Sequence, residues 1–240
     1  MKTFCFFDFE TDNKDPKVAR VTEAAWAIFG CDGRMIRAAS STFQCPDISQ
    51  EITEITGIHQ EHCDKGKQFP QLFSFLADGF MLDDHRALVG HNVLAYDCEI
   101  INRLEMGERL FQGKVIIDTM IDLPLPPRTT SKRLTHLCSD HGIVTPDAHG
   151  ALYDCIYTAK LFFKYDWAVV IQRASTPLVY IEAVTGYEKK DLAKADGYRF
   201  DPGKKIWYKR VRQFDREKIL EVAKDRYEVK ILHNFTPVGG

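Results

Sequence analysis

The chain opens on an aromatic-rich apolar run, Thr3–Phe9, that reads as a buried strand and ends in acids. Two more apolar runs follow, Val21–Phe29 and Met35–Phe43. The five residues between them contain Asp32-Gly33, a hairpin signal, so a three-strand meander is expected. The period then changes. Ile48–Ile55 has helical spacing with Gly57 as its stop, and Phe69–Phe80 reads as a helix with Pro70 in its first turn. Ala87–Gly90 reads as a short strand, Tyr96–Met106 as a helix closed by Gly107, and Val115–Asp118 as a strand. Leu123–Pro127 is a proline-rich loop, Leu134–His141 a helix closed by Gly142, and Ala151 to about Arg173 one long helix. A meander followed by alternating strands and helices predicts an α/β domain, a mixed sheet flanked by helices.

A boundary is expected at Ser175-Thr176-Pro177, which divides the chain into residues 1–174 and 175–240. Beyond it the pattern gives strand Val179–Val184 and helix Lys189–Ala195. Strands around Arg199 and over Ile206–Val211 follow, joined by a Pro202-Gly203 turn, then helix Arg216–Asp225 and strand Glu228–Leu232. That order, βαββαβ, describes a small α+β domain of the ferredoxin-like pattern.

Composition narrows the classes. Of 240 residues 45% are hydrophobic and 28% charged, which suits a globular chain rather than a disordered one. No apolar run approaches the ~20 residues needed to cross a bilayer, and the N-terminus lacks a secretory pattern. The seven cysteines are scattered and form no CxxC pair, so a reducing compartment, most simply the cytoplasm, is expected. The net charge is −2, but it is uneven: residues 176–240 carry 14 Lys and Arg against 10 Asp and Glu. The last quarter is therefore basic and the body acidic. An acidic body can still hold nucleic acid when cations neutralise its carboxylates.

Three short stretches carry candidate chemistry. In Phe7-Asp8-Phe9-Glu10-Thr11, residues two apart on a strand share a face, so Asp8 and Glu10 aim together. Acids are 34 of 240 residues, so such a pair arises by chance, and a charged strand end is the plain alternative. The four phenylalanines around it change the balance, because carboxylates in an apolar strand are costly unless they bind metal. In Gly90–Asp97 a strand runs into a helix with Asp97 in its first turn, where the helix dipole alone would also favour an acid. In His149-Gly150-Ala151-Leu152-Tyr153-Asp154 a histidine just before a helix and an acid inside it suit one shared site. A helix-start histidine and a solvated acid are the alternative.

Taken together, order and spacing resemble the DnaQ-like exonucleases of the Asp-Glu-Asp-Asp-His group, which includes bacterial exonuclease X and the proofreading subunit of DNA polymerase III. Asp8 and Glu10 match the first motif, Asp97 the second, His149 and Asp154 the third. Ile55-Thr56-Gly57-Ile58 resembles the loop that wedges an apolar side chain against terminal bases. Asp118-Thr119, Leu134–Cys138, Gly142-Ile143 and Ala148-His149 resemble the approach to the last helix. The resemblance covers about Met1–Trp167. In two places the chain departs from the pattern: Asn92 precedes Asp97 by five residues rather than four, and Gly150 follows His149 where relatives often carry Arg.

The resemblance implies a ribonuclease H-like fold and 3′→5′ removal of nucleotides, from DNA more than RNA, at single-stranded or frayed ends. It implies two divalent cations, Mg²⁺ or Mn²⁺, held by Asp8, Glu10, Asp97 and Asp154, with His149 as general base. Thr11, Gly57, Ile58, Asn92 and Tyr96 are the implied substrate contacts, and a polymerase or repair partner is implied with them. An RNA-directed exonuclease or oligoribonuclease is the alternative within this class. A non-catalytic nucleic-acid-binding module is the alternative outside it, but that reading predicts damaged ligands and all five residues are intact.

Other signals weigh less. His59, His62 and Cys63, or Cys138 and His141, lack the spacing of a complete zinc set. Leu123–Pro127 as a partner's polyproline ligand is less expected than a turn. In the basic segment, Lys205, Trp207 and Arg210 are candidate nucleic-acid contacts. Aromatics forming that domain's own core, with solvated lysines, are an equal alternative.

Overall fold

The structure, a computed structural model, describes residues 2–82, 85–126, 129–146, 149–233 and 235–237. Pro127 of the proline-rich loop and Ala148 of the third motif lie outside the described residues. The rest fall into two compact units, within 1–171 and 172–240.

In the first unit the meander is β1 (Thr3–Thr11), β2 (Val21–Gly30) and β3 (Met35–Thr42). Helices α1 (Gln50–Thr56), α2 (Gln60–Asp64) and α3 (Gln71–Phe80) lead to β4 (His85–Gly90) and α4 (Asp97–Ile101). Then come β5 (Val115–Asp118), α5 (Thr119–Asp122), α6 (Leu134–Asp140), α7 (Ala151–Phe162) and α8 (Trp167–Ala174), within which the division between the units falls. The sheet order is β3-β2-β1-β4-β5, antiparallel through the meander and parallel for β4 and β5. This is the mixed, ribonuclease H-like sheet expected from the sequence.

β1 is central and buries both faces. Cys5, Phe7 and Phe9 enter a core with Trp26, Leu72, Leu76 and Phe80. Phe4 and Phe6 take the opposite face and pack edge-on against Phe162 at 5.0 and 5.6 Å. Burying each such ring is worth about 1.5–3 kcal/mol, which pins α7 across the sheet.

Two expected helices are shorter than their apolar patterns suggest. The run Tyr96–Met106 is helical only over α4. The chain then folds back so closely that a Cβ on Gly107 would lie 1.9 Å from the Ile101 carbonyl. A short 3₁₀ turn, Gly107–Phe111, follows. The run from Ala151 to Arg173 is two helices. After Phe162 the N–H groups of Lys164 and Tyr165 reach back only three residues, to Leu161 and Phe162, which tightens and ends the turn. Asp166 then accepts from the Ala168 N–H at 2.9 Å and starts α8.

The second unit holds β6 (Leu178–Val184), α9 (Lys190–Ala195), β7 (Arg199–Asp201), β8 (Ile206–Arg212), α10 (Arg216–Ala223) and β9 (Glu228–Leu232). Its sheet is antiparallel throughout, in the order β7-β8-β6-β9, as the βαββαβ pattern requires. Ile181, Ala183, Ala193, Tyr198 and Val211 form its core.

Candidate active site

Alternation along β1 places the site. Phe4, Phe6, Asp8 and Glu10 share one face, so the acids continue the face that packs on α7. From Phe4 to Asp8 the strand advances about 13 Å. From Phe162 back to Asp154 the helix retreats about 12 Å. With Phe162 against Phe4, Asp154 is thus brought level with the acids. Asp8, Glu10 and Asp154 each offer an oxygen, all within 4.8 Å of one another. Among the described residues they are the one such metal-capable group, and neither histidine–cysteine cluster forms another.

Asp97 arrives from the other edge. β4 pairs with β1 only as far as Phe6–Val89 and then diverges. At the divergence a Cβ on Gly90 would lie 2.9 Å from the Phe7 carbonyl and collide with Val93, so the close approach needs glycine. Asp97 lies outside the three-carboxylate group but is 3% exposed, and its carboxylate accepts the Phe9 N–H, from the residue between Asp8 and Glu10. The extra residue before Asp97 is absorbed in the loop. Asn92 takes a left-handed φ of 64°, and the Cys98 N–H closes a wide five-residue turn on the Val93 carbonyl at 2.9 Å.

His149 sits just before α7 in a left-handed conformation, φ 75°, unusual for a non-glycine residue. Its side chain is exposed. Its backbone N–H donates to the Asp154 carboxylate, and its imidazole exerts a field on that group, so residue and helix acid are tied locally.

The crowding of acids is written in their proton affinities. Asp8 is held well above the ordinary carboxylate range by burial and then by Asp97, Asp154, Glu10 and Glu23. Burial, with Asp154, Glu23 and Asp97, pushes Glu10 up to about 8. Burial pushes Asp97 to about 8 and Asp154 to about 6. Asp97 Oδ1 and Asp154 Oδ1 are buried with no hydrogen-bond partner. Hard oxygen donors, concentrated negative charge and orphaned oxygens fit divalent cations of the Mg²⁺ or Mn²⁺ type.

Around the acids, Thr11 Oγ1 and the Tyr96 hydroxyl are in contact, and both hydroxyls also meet the Asn13 carbonyl. Gly57 ends α1 with φ 70°, its N–H on the Thr53 carbonyl. Ile58, an expected substrate contact in the loop likened to a wedge, is buried. Its side chain is 6% exposed and packs with Cys45, Cys63 and Ile48, whereas Ile55, one turn earlier, is 44% exposed.

Two acids were missed as site residues. Glu23 stands opposite Glu10 on β2, and its Oε2 accepts the Ala151 N–H at 3.0 Å. A lone acid inside the apolar run Val21–Phe29 was its signal. Asp118 is fully buried and accepts from the N–H groups of Asn92, Leu94 and Met120 at 2.9, 3.2 and 3.0 Å, so it shapes the loop before Asp97. In sequence it was visible only as part of the resemblance.

The sequence matches the RNase_T family, described as exonuclease, over residues 5–162. Comparison with curated proteins gives no match. The fold is similar to E. coli exonuclease I with a dA16 oligonucleotide, at a TM-score of 0.63 and 17% identity, covering 97% of this chain and 63% of that one. A zinc-bound complex of E. coli exonuclease I with single-stranded DNA gives 0.60 and 18%, covering 76% and 48%. Exonuclease I of Methylocaldum szegediense gives 0.60 and 18%, covering 79% and 50%. The chain thus spans between about half and just under two thirds of the length of these structures. No helix of the described residues is long and apolar enough to cross a membrane. With more than half its length matched, the chain belongs to the RNase T/DnaQ-like exonuclease family.

Proposed function

We propose that the first unit is a 3′→5′ exonuclease that releases nucleotides from the 3′ end of DNA with two divalent cations, Mg²⁺ or Mn²⁺. Convergence of Asp8, Glu10 and Asp154 within 4.8 Å, with Asp97 beside them, carries this reading. Exonucleases of this family use divalent metals. When bound, the cations supply the positive charge that an anionic phosphodiester needs before a hydroxide can approach and an oxyanion can leave.

The residues divide the work. Asp8, central among the acids, would help hold the cations. Glu10 and Asp154 would hold one cation with it, and Asp97 would help hold a second. His149, with its side chain exposed beside Asp154, takes the proton from the attacking water. Thr11 and Tyr96 border the acids and, with Asn92, contact the terminal nucleotide, Gly57 lets the chain turn at the substrate end, and Ile55 rather than Ile58 supplies the exposed apolar contact. His149→Ala is expected to lower turnover by roughly 10²–10⁴ with the fold intact. Wild-type turnover in that variant removes His149 as the base.

A further inference from the structure

Among the described residues, the helices of the second unit pack on one face of its sheet. Val179, Trp207, Val229 and Ile231 pack on the covered side with the core and with Ile219 of α10. Trp207, a candidate contact from sequence, therefore faces inward and stacks on Phe200 at 5.4 Å. Alternation sends Tyr180, Tyr208 and Arg210 to the other face.

On that face lies a compact aromatic group. Tyr180 of β6 and Tyr208 of β8, the two central strands, have ring centroids 6.1 Å apart. Phe235 lies 5.2 Å from each. Cations ring it. Arg210, exposed, is directly across from Tyr180, with its guanidinium 5.9 Å from that ring. Arg199 is across from Tyr208. Lys204 Nζ lies 4.2 Å over Phe235, and Lys230 pairs with Glu182 on β9 and β6. Glu182, Glu228 and the buried Asp201 are carboxylates on this face, Glu228 being 3.6 Å from Lys230 and Asp201 accepting the Lys204 N–H at 2.9 Å. Half-buried rings in the middle with exposed cations at the rim match a strand of stacked bases and phosphates. A protein helix would want an aliphatic groove instead.

We infer that the face of the second sheet opposite its helices binds single-stranded DNA, with bases stacking on Tyr180, Tyr208 and Phe235 and phosphates meeting Arg199, Lys204, Arg210 and Lys230. Aromatic platforms on the central strands of four-stranded sheets hold single strands by this chemistry. The choice of DNA over RNA rests on the substrate proposed for the first unit. Tethering in one chain raises the local concentration of a strand held at one unit for the other.

The test is fluorescence anisotropy of the full chain with a labelled dT oligonucleotide of about 20 residues in EDTA, so that no cleavage occurs. Tyr180→Ala with Tyr208→Ala is expected to weaken binding by about thirtyfold or more, two lost stacks at about 1–3 kcal/mol each. Tyr180→Phe with Tyr208→Phe keeps the rings and is expected to bind within about threefold of wild type. Arg210→Gln with Lys230→Gln is expected to reduce the log–log salt slope by about 1.4, two phosphate contacts' worth. Wild-type affinity in the alanine pair, or equal loss in the alanine and phenylalanine pairs, overturns the platform. Tighter binding of a matched rU strand overturns the choice of DNA. Cleavage of the same oligonucleotide by wild type with Mg²⁺ reports separately on the first unit.

Discussion

Glu23 stands directly across the β1–β2 ladder from Glu10, and the Glu23 carboxylate holds the Ala151 N–H at 3.0 Å. One side chain therefore links the strand carrying Asp8 and Glu10 to the first turn of the helix carrying Asp154. Its negative charge also raises the proton affinity of Glu10. Glu23 makes no set with the metal-capable oxygens among the described residues, so its role is positioning.

Glu23→Ala leaves the Ala151 N–H without that acceptor. A hydrogen bond to a charged group is worth about 1.5–3 kcal/mol, so a stability loss of that order is expected in chemical denaturation. Turnover is expected to fall about tenfold, as Asp154 loses its fixed place. Glu23→Gln keeps an acceptor and is expected to recover most of both. If Glu23→Gln is as poor as Glu23→Ala, charge and not placement is what matters.

The acids predict an inverted pH dependence for the metal-free protein. Their folded-state pKa values are raised, to about 8 for Glu10 and Asp97 and about 6 for Asp154. The native state therefore binds more protons than the unfolded chain once pH exceeds the ordinary carboxylate values, about 4. Its stability is full below that point and is lost as pH rises toward 8. Divalent cations bind the deprotonated forms, so their stabilising effect must grow over the same window. Thermal melts in EDTA and in excess Mg²⁺ at pH 5.5 and pH 8 check this. An equal Mg²⁺ gain at both values contradicts it.

The same crowding predicts a trade between stability and activity at Asp8. Asp8→Asn removes one charge from a group of like charges, so at pH 8 in EDTA the variant is expected to melt above wild type. Its Mg²⁺-dependent activity is expected to vanish. A variant that melts below wild type in EDTA, or retains activity, would show that Asp8 is not at the centre of the cluster.

Ile55 and Ile58 are predicted to separate. Ile58→Ala empties a buried position and is expected to cost about 2–5 kcal/mol. Ile55→Ala changes an exposed one and is expected to stay within about 0.5 kcal/mol of wild type. Ile55→Ala should instead slow degradation from paired ends more than from single strands. Equal rates on both substrates remove Ile55 as a wedge.

The strands and the acid pair on β1 were legible in sequence because alternation and apolar density are local properties. So was the βαββαβ order of the small unit. The break between α7 and α8 was not, because the apolar spacing continues through Phe163 and Trp167. Both are needed by the aromatic group on Phe4, whatever the backbone does between them. Glu23 and Asp118 were hidden for a different reason: each works through a backbone N–H distant in sequence, at Ala151 and at Asn92. For Trp207 the sequence left a nucleic-acid contact and a place in the domain's own core equally open, because a strand's two faces can both carry aromatics, and only the packing of the helices separates them.

The account stands most directly on the polarity and metal dependence of cleavage. A single-stranded DNA labelled at its 5′ end should be shortened in a one-nucleotide ladder with Mg²⁺, and the same strand labelled at its 3′ end should release a labelled mononucleotide first. Both reactions should stop in EDTA and be absent in Asp154→Asn. Release of the 5′ label first, or cleavage that survives EDTA, contradicts the four-carboxylate site proposed for this chain.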